Sequence, residues 1–373
     1  MQEMKRRGHE VSALVPAYDF MPEIEVLGIP YRKISMSRSS INPIQELQSR
    51  RELRRVIAEL QPDLVFAYTI KPVVQGVSAA RKAGVPKVFA MITGMGYLFT
   101  GESLRQRLLR QLAVRMYKAA LKQCDGIFFQ NPDDISLFCE LGIVASGSPV
   151  HMTNGSGVSL SSFPRRPLPG EATGEVEGEA YRRGSEVQRE GGRVLTFLMI
   201  ARLLQDKGVA EFVEAARMLK ATYGERVRFQ VAGPYDPNLP HAVSREQYDS
   251  WLQSAEVHFA GHQADVLPWL AGCDVYVLPS YREGTPRSVL EAMATGRPII
   301  TTDAPGCRET VQHGRNGYLI PPRSTQPLAD AMKRFLENPA LIAQMGEESY
   351  RMVQEKYEVG KVNAGILEVM GLD

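Results

Sequence analysis

Short apolar runs alternate with amphipathic stretches along the whole chain. Residues 9–16 and 29–34 read as strands, and 45–60 as a helix ending before Pro62. Strands are then expected at 63–68, 85–92 and 126–130, and helices at 73–82, 104–122 and 132–141. The alternation restarts at residue 194. Strands are expected at 194–200, 227–233, 257–261, 275–278, 298–302 and 318–320, with a helix at 208–223 and further helices from Pro327 and Pro339. Strands alternating with helices in this way predict an α/β fold built on parallel sheets. Residues 165–193 are rich in Gly, Glu and Arg and lack apolar periodicity, so they read as a polar linker or loop. The expected domains are 1–164 and 194–350, with a helical segment, 351–373, returning to the first.

A chain of 373 residues suits two domains, and no apolar run is long enough to span a bilayer. Four scattered cysteines fit reduced thiols, and six scattered histidines offer no zinc spacing. Charge is uneven. Residues 1–150 carry 20 Lys+Arg against 14 Asp+Glu, whereas the remainder carries 24 against 28. The basic half includes Arg50, Arg51, Arg54 and Arg55. It also includes the 104–118 stretch, apolar at Leu104, Leu108, Leu112 and Met116/Tyr117 with basic residues between. Such a helix suits either an anionic membrane surface or a core with a solvated basic face. Nothing supports nucleic-acid binding, because neither a recognition fold nor aromatic-basic interleaving is present.

Candidate chemistry concentrates in residues 279–296. An apolar strand precedes this segment and another follows it, with Glu283 in the loop and Glu291 in a short helix. Thr285 reads as the helix N-cap and Pro286 as the first helical residue, which leaves first-turn amides able to bind an anion. Two carboxylates can accept hydrogen bonds from the vicinal hydroxyls of a sugar or ribose. The combination suggests a sugar nucleotide; the alternative is a capped surface helix with two solvated glutamates. Arg202 and Lys207 follow the 194–200 strand, where a diphosphate would need a guanidinium fork and an ammonium. Gly233 and Gly261 end strands and permit close backbone approach, although glycine is also ordinary in turns. Asp133 and Asp134 follow Pro132 and read as helix-start charges rather than metal ligands.

These residues, with the loop from Asn154 to Ser159 and the stretch from Gly317 to Pro322, resemble the family 4 retaining glycosyltransferases. The resemblance implies the GT-B fold, two Rossmann-like domains facing a cleft. Residues 69–72, 92–97 and 301–310 are similar to the branch that extends undecaprenyl-diphosphate-linked sugars. By that resemblance Glu283 is catalytic, approaching the donor sugar hydroxyls, and Glu291 meets the ribose. Arg202, Lys207, Gly233 and the helix start at Pro286, Arg287 and Ser288 surround the donor, while Lys71, Thr93, Gly94 and Tyr97 lie on the acceptor side. It implies a UDP-sugar donor, a polyprenyl-diphosphate-linked acceptor, no cofactor or essential metal, and a cytoplasmic, peripheral place on the inner membrane face.

Two departures qualify the resemblance. Thr93 stands where many members carry a histidine. Residues 1–8 read as the end of a first helix, so the family's first strand and glycine-rich loop are expected to be missing from the N-terminal domain. The alternatives are a GT-B transferase with a soluble acceptor, a nucleotide-binding protein without turnover, and a GT-B epimerase.

Overall fold

The computed structural model describes residues 1–16, 25–36, 43–94, 104–168 and 193–372. Tyr97 and most of the 165–193 segment lie outside the described residues. The chain divides into two compact units, residues 1–153 with 362–373, and residues 154–361. These divisions replace the expected ends at 164 and 350. Residues 154–168 join unit 2: Val158 N donates to Tyr357 O at 2.8 Å and Arg166 N to Thr295 O at 3.2 Å, and Leu168 is buried there.

Unit 1 runs α1 (Gln2–Arg6), β1 (Ala13–Pro16), β2 (Tyr31–Ile34), α2 (Pro43–Leu60), β3 (Leu64–Tyr68), α3 (Ile70–Lys82), β4 (Lys87–Ile92), α4 (Leu104–Leu121), β5 (Gly126–Phe129), α5 (Pro132–Glu140) and β6 (Val150–Met152). Strands β3-β4-β5-β6 form a parallel sheet in that order, and β1 pairs with β2 in a separate parallel pair. One sheet face is covered by α2, α3 and α4, whose Ile57, Val77, Tyr117 and Leu121 bury against Val88, Ala90 and Ile127. Phe89, Met91 and Phe128 on the other face meet Val362, Ile366 and Met370 of the last helix.

The expected apolar face of α4 divides between core and surface: Tyr117, Ala120 and Leu121 are buried, but Leu112 is 54% exposed. The side chains of Leu104 and Leu108 lie outside the described residues.

Unit 2 continues with β7 (Leu195–Ile200), α6 (Val209–Tyr223), β8 (Val227–Ala232), α7 (Arg245–Ser254), β9 (His258–Gly261), α8 (Leu267–Gly272), β10 (Val275–Leu278), α9 (Arg287–Ala294), β11 (Ile299–Thr302), β12 (Gly317–Ile320), α10 (Thr325–Glu337), α11 (Ala340–Met352) and α12 (Val359–Met370), the last crossing back into unit 1. Its six parallel strands are ordered β12-β11-β10-β7-β8-β9. From β7 the chain winds outward through β8 and β9, then returns to β10 on the other side of β7. The loops after β7 and β10 therefore diverge at the sheet's switch point, the place where doubly wound sheets open a ligand crevice.

Candidate functional site

The loops after β7 and β10 carry most of the expected residues and are laced together. The turn after β7 ends in a 3₁₀ segment, Gln205–Lys207, followed by Gly208 at φ +73°. A Cβ on Gly208 would lie 2.2 Å from the Pro279 carbonyl oxygen. Only glycine lets this turn pack onto the end of β10. The Asp206 carbonyl accepts from Tyr281 N at 2.8 Å, and the Tyr281 hydroxyl donates to Glu211 Oε1 at 2.5 Å. Glu283 N donates to Pro305 O at 2.9 Å. With both loops fixed, Lys207 Nζ meets Glu283 Oε1 at 2.5 Å.

Neither acid is a solvated surface glutamate. The Glu283 side chain is 17% exposed and that of Glu291 10%. Burial alone would lower the Lys207 ammonium, but the Glu283 carboxylate outweighs it and raises the lysine above its ordinary value. Burial pushes the Glu291 carboxyl above the usual carboxylate range, against the pull of Arg287, whose Nε lies 2.9 Å from Glu291 Oε1. Arg202 is exposed and has neither an ion pair nor a side-chain hydrogen bond among the described residues, and its charge acts on Lys207.

Helix α9 begins one residue later than expected. Pro286 is its N-cap, in extended conformation with no side-chain cap bond, and Arg287 is the first helical residue. The Pro286 carbonyl accepts from Val289 and Leu290 at 3.1 and 3.3 Å, so the Arg287 and Ser288 amides precede the ladder. The buried Tyr276 hydroxyl lies 3.1 Å from Ile200 O and 2.7 Å from Ser288 Oγ. This bridge joins the first turn of α9 to the end of β7, beside Arg202. Burial raises the Tyr276 phenol, which keeps it neutral.

Gly233 follows β8. A Cβ there would lie 1.8 Å from the Ala201 carbonyl oxygen, so the close approach it permits is to the β7 loop itself.

The acceptor-side set belongs to unit 1. Lys71 and Thr93 follow the adjacent parallel strands β3 and β4. Lys71 Nζ pairs with Glu46 Oε1 at 2.9 Å, and Gln75 donates to the same carboxylate. Gly94 has φ +120°. Thr69, ending β3, sits at φ +70°, which costs a threonine on the order of 1–3 kcal/mol. Asp134 N donates to the Asn131 side-chain oxygen Oδ1 at 2.8 Å and Asp134 Oδ2 accepts from Asn131 Nδ2 at 3.0 Å, so that aspartate serves a helix start.

Sequence reasoning passed over Ser280, Tyr281 and Glu211. Ser280 stands inside the 279–296 segment, two residues after β10, and that place at the switch point is its signal. Together the loops offer an exposed cation, a shared ammonium, unladdered amides and two shielded carboxylates, which suits a ligand combining phosphate with hydroxyls.

Residues 194–338 match the family described as "Glycosyl transferases group 1", and residues 1–152 match the "Glycosyl transferase 4-like domain". Among curated proteins, the chain is 29% identical over 341 residues to the N,N'-diacetylbacillosaminyl-diphospho-undecaprenol alpha-1,3-N-acetylgalactosaminyltransferase of Campylobacter jejuni, covering 91% of this chain and 85% of that one. It is 27% identical over 347 residues to the putative glycosyltransferase EpsD of Bacillus subtilis, covering 92% and 84%. Among solved structures, HepE of Anabaena in complex with UDP and glucose aligns with a TM-score of 0.76 at 20% identity, covering 99% of this chain and 94% of that one. Sucrose-phosphate synthase of Thermosynechococcus elongatus aligns with a TM-score of 0.78 at 18% identity, covering 99% and 90%.

Proposed function

We propose a function from the premise that the chain belongs to the family 4 glycosyltransferases of GT-B fold. It moves a hexosyl or N-acetylhexosaminyl group from a UDP-sugar to a polyprenyl-diphosphate-linked sugar, with retention, in the assembly of a bacterial surface glycan. The observation that carries this reading is the shielded Lys207–Glu283 pair at the switch point of unit 2, with exposed Arg202, unpaired among the described residues, beside it. The activity of the Campylobacter relative and the UDP bound by the Anabaena structure support the acceptor and donor classes.

In this reading Arg202, Lys207 and the amides of Arg287 and Ser288 receive the diphosphate and stabilise charge on the leaving group. Glu283 orients the donor sugar through its hydroxyls and Glu291 takes the ribose. The new glycosidic bond forms on the face from which UDP departs, and a phosphate oxygen of the leaving group takes the acceptor hydroxyl's proton. No metal or cofactor is required. Lys71, Thr93 and Gly94 address the acceptor.

Exposed apolar side chains support work at an anionic membrane surface. Seven of the eight large ones among the described residues belong to unit 1, including Leu47 and Leu112. Leu47 shares an exposed face of α2 with Arg50, Arg51 and Arg54, and Leu112 one of α4 with Arg115. No helix of the described residues is long and apolar enough to cross a membrane. Labelled sugar should pass from a UDP-sugar to an extracted polyprenyl-diphosphate-linked acceptor. Absence of transfer with every common UDP-sugar would overturn the proposal. Transfer to a soluble acceptor with no binding to anionic vesicles would favour the soluble-acceptor enzyme instead.

A further inference from the structure

We infer that Ser280 is a positioning residue that keeps Glu283 in place while Lys207 engages the donor's diphosphate. The inference rests on the donor-site reading above. Lys207 has two claims on one ammonium: Glu283 Oε1 holds it at 2.5 Å, and a bound diphosphate would compete for it. As it turns to phosphate, the carboxylate needs an anchor that does not depend on the ammonium.

Ser280 supplies that anchor. The residue is fully buried. Its hydroxyl oxygen lies 2.8 Å from Glu283 Oε1, 3.1 Å from Asp206 O and 3.4 Å from Arg282 O. A hydroxyl has one proton and here faces three acceptors. The carboxylate is the nearest and the only charged one, so it takes the proton. Asp206 O keeps a donor regardless, because Tyr281 N reaches it at 2.8 Å. The serine's backbone is held as well, since the Thr302 hydroxyl donates to its carbonyl. The hydroxyl is therefore presented to Glu283 from a fixed frame, independently of Lys207.

The test is steady-state transfer by the full chain carrying Ser280→Ala, with UDP affinity by calorimetry and the unfolding midpoint alongside. The expected result is a fall in kcat of about tenfold to a hundredfold. Donor KM and UDP affinity should stay within about twofold, with the midpoint little changed. In a Glu283→Gln background the same change should cost less than about threefold, because the hydroxyl acts through the carboxylate. Equal losses in kcat and UDP affinity, or an unchanged kcat, would overturn the inference. A fully active Glu283→Gln protein would reject the donor-site reading itself. An inactive Glu283→Gln protein with a fully active Ser280→Ala protein would reject only the role of Ser280.

Discussion

The strand ends of the two units differ in how their polar groups are held. In unit 2 the loops after β7 and β10 are cross-tied by Tyr281 N to Asp206 O, Tyr281 to Glu211 and Lys207 to Glu283, and the two acids are shielded. In unit 1, Lys71 in the first turn of α3 pairs with Glu46 of α2, the side chains 23% and 21% exposed, and Thr69 after β3 is strained. One region is organised before any ligand arrives. The other keeps its polar groups nearer solvent. Precise electrostatic stabilisation of a leaving group needs the first arrangement; reception of a bulky, variable acceptor tolerates the second.

The comparison can be broken most severely at Gly233. Its Cβ would overlap the Ala201 carbonyl oxygen, so Gly233→Ala should destabilise unit 2 by more than about 3 kcal/mol, visible in chemical unfolding. A near-native unfolding curve would show that the β7 loop is not rigidly seated.

Next is Glu283→Gln. Transfer should fall on the order of a thousandfold in labelled-sugar assays while the fold is retained. Residual transfer near the original rate would place the decisive carboxylate elsewhere.

Glu291→Gln has a divided outcome. Burial raises this carboxyl, so its stabilising contribution is fully present below the unfolded value of 4.5 and is lost as pH rises through the higher folded value. At neutral pH the charged form is a cost that glutamine removes. The variant should melt about 2 °C higher at pH 7, with the gain shrinking toward pH 4.5, while UDP binds several-fold more weakly. A calorimetric titration and a pH series of melts read both.

The smallest change is expected from Lys71→Ala. Its partly exposed pair is worth about 0.5–1 kcal/mol, and UDP affinity should be untouched while acceptor KM rises a few-fold. Weakened UDP binding would erase the distinction between the two regions.

Much of this was legible because it is local. Apolar runs located most strands to within about two residues, although β1 starts four residues later than expected and β6 was not expected, and the segment around Glu283 announced itself by two acids between strands. What escaped was non-local. The packing of Leu112 depended on which helix face meets the sheet. The unit boundary depended on Val158 pairing with residues two hundred positions away. Pro286 became a cap rather than a first helical residue through its own extended backbone. For Ser280 the sequence shows only its place just after β10, because its meaning lies in one proton facing three oxygens.

The bonds between Val158 and its distant partners carry one more consequence. Val158 N reaches Tyr357 O, and Val359 N returns to Val158 O at 3.0 Å. The beginning and end of unit 2 are thus buttoned together like the two ends of a clasp. Topologically, unit 2 is a cassette inserted into unit 1, with its entry and exit at one point. Residues 154–361 excised as one piece would have neighbouring termini and a complete six-stranded sheet. Under the proposed function, donor preference is expected to travel with residues 154–361 when they are exchanged between relatives.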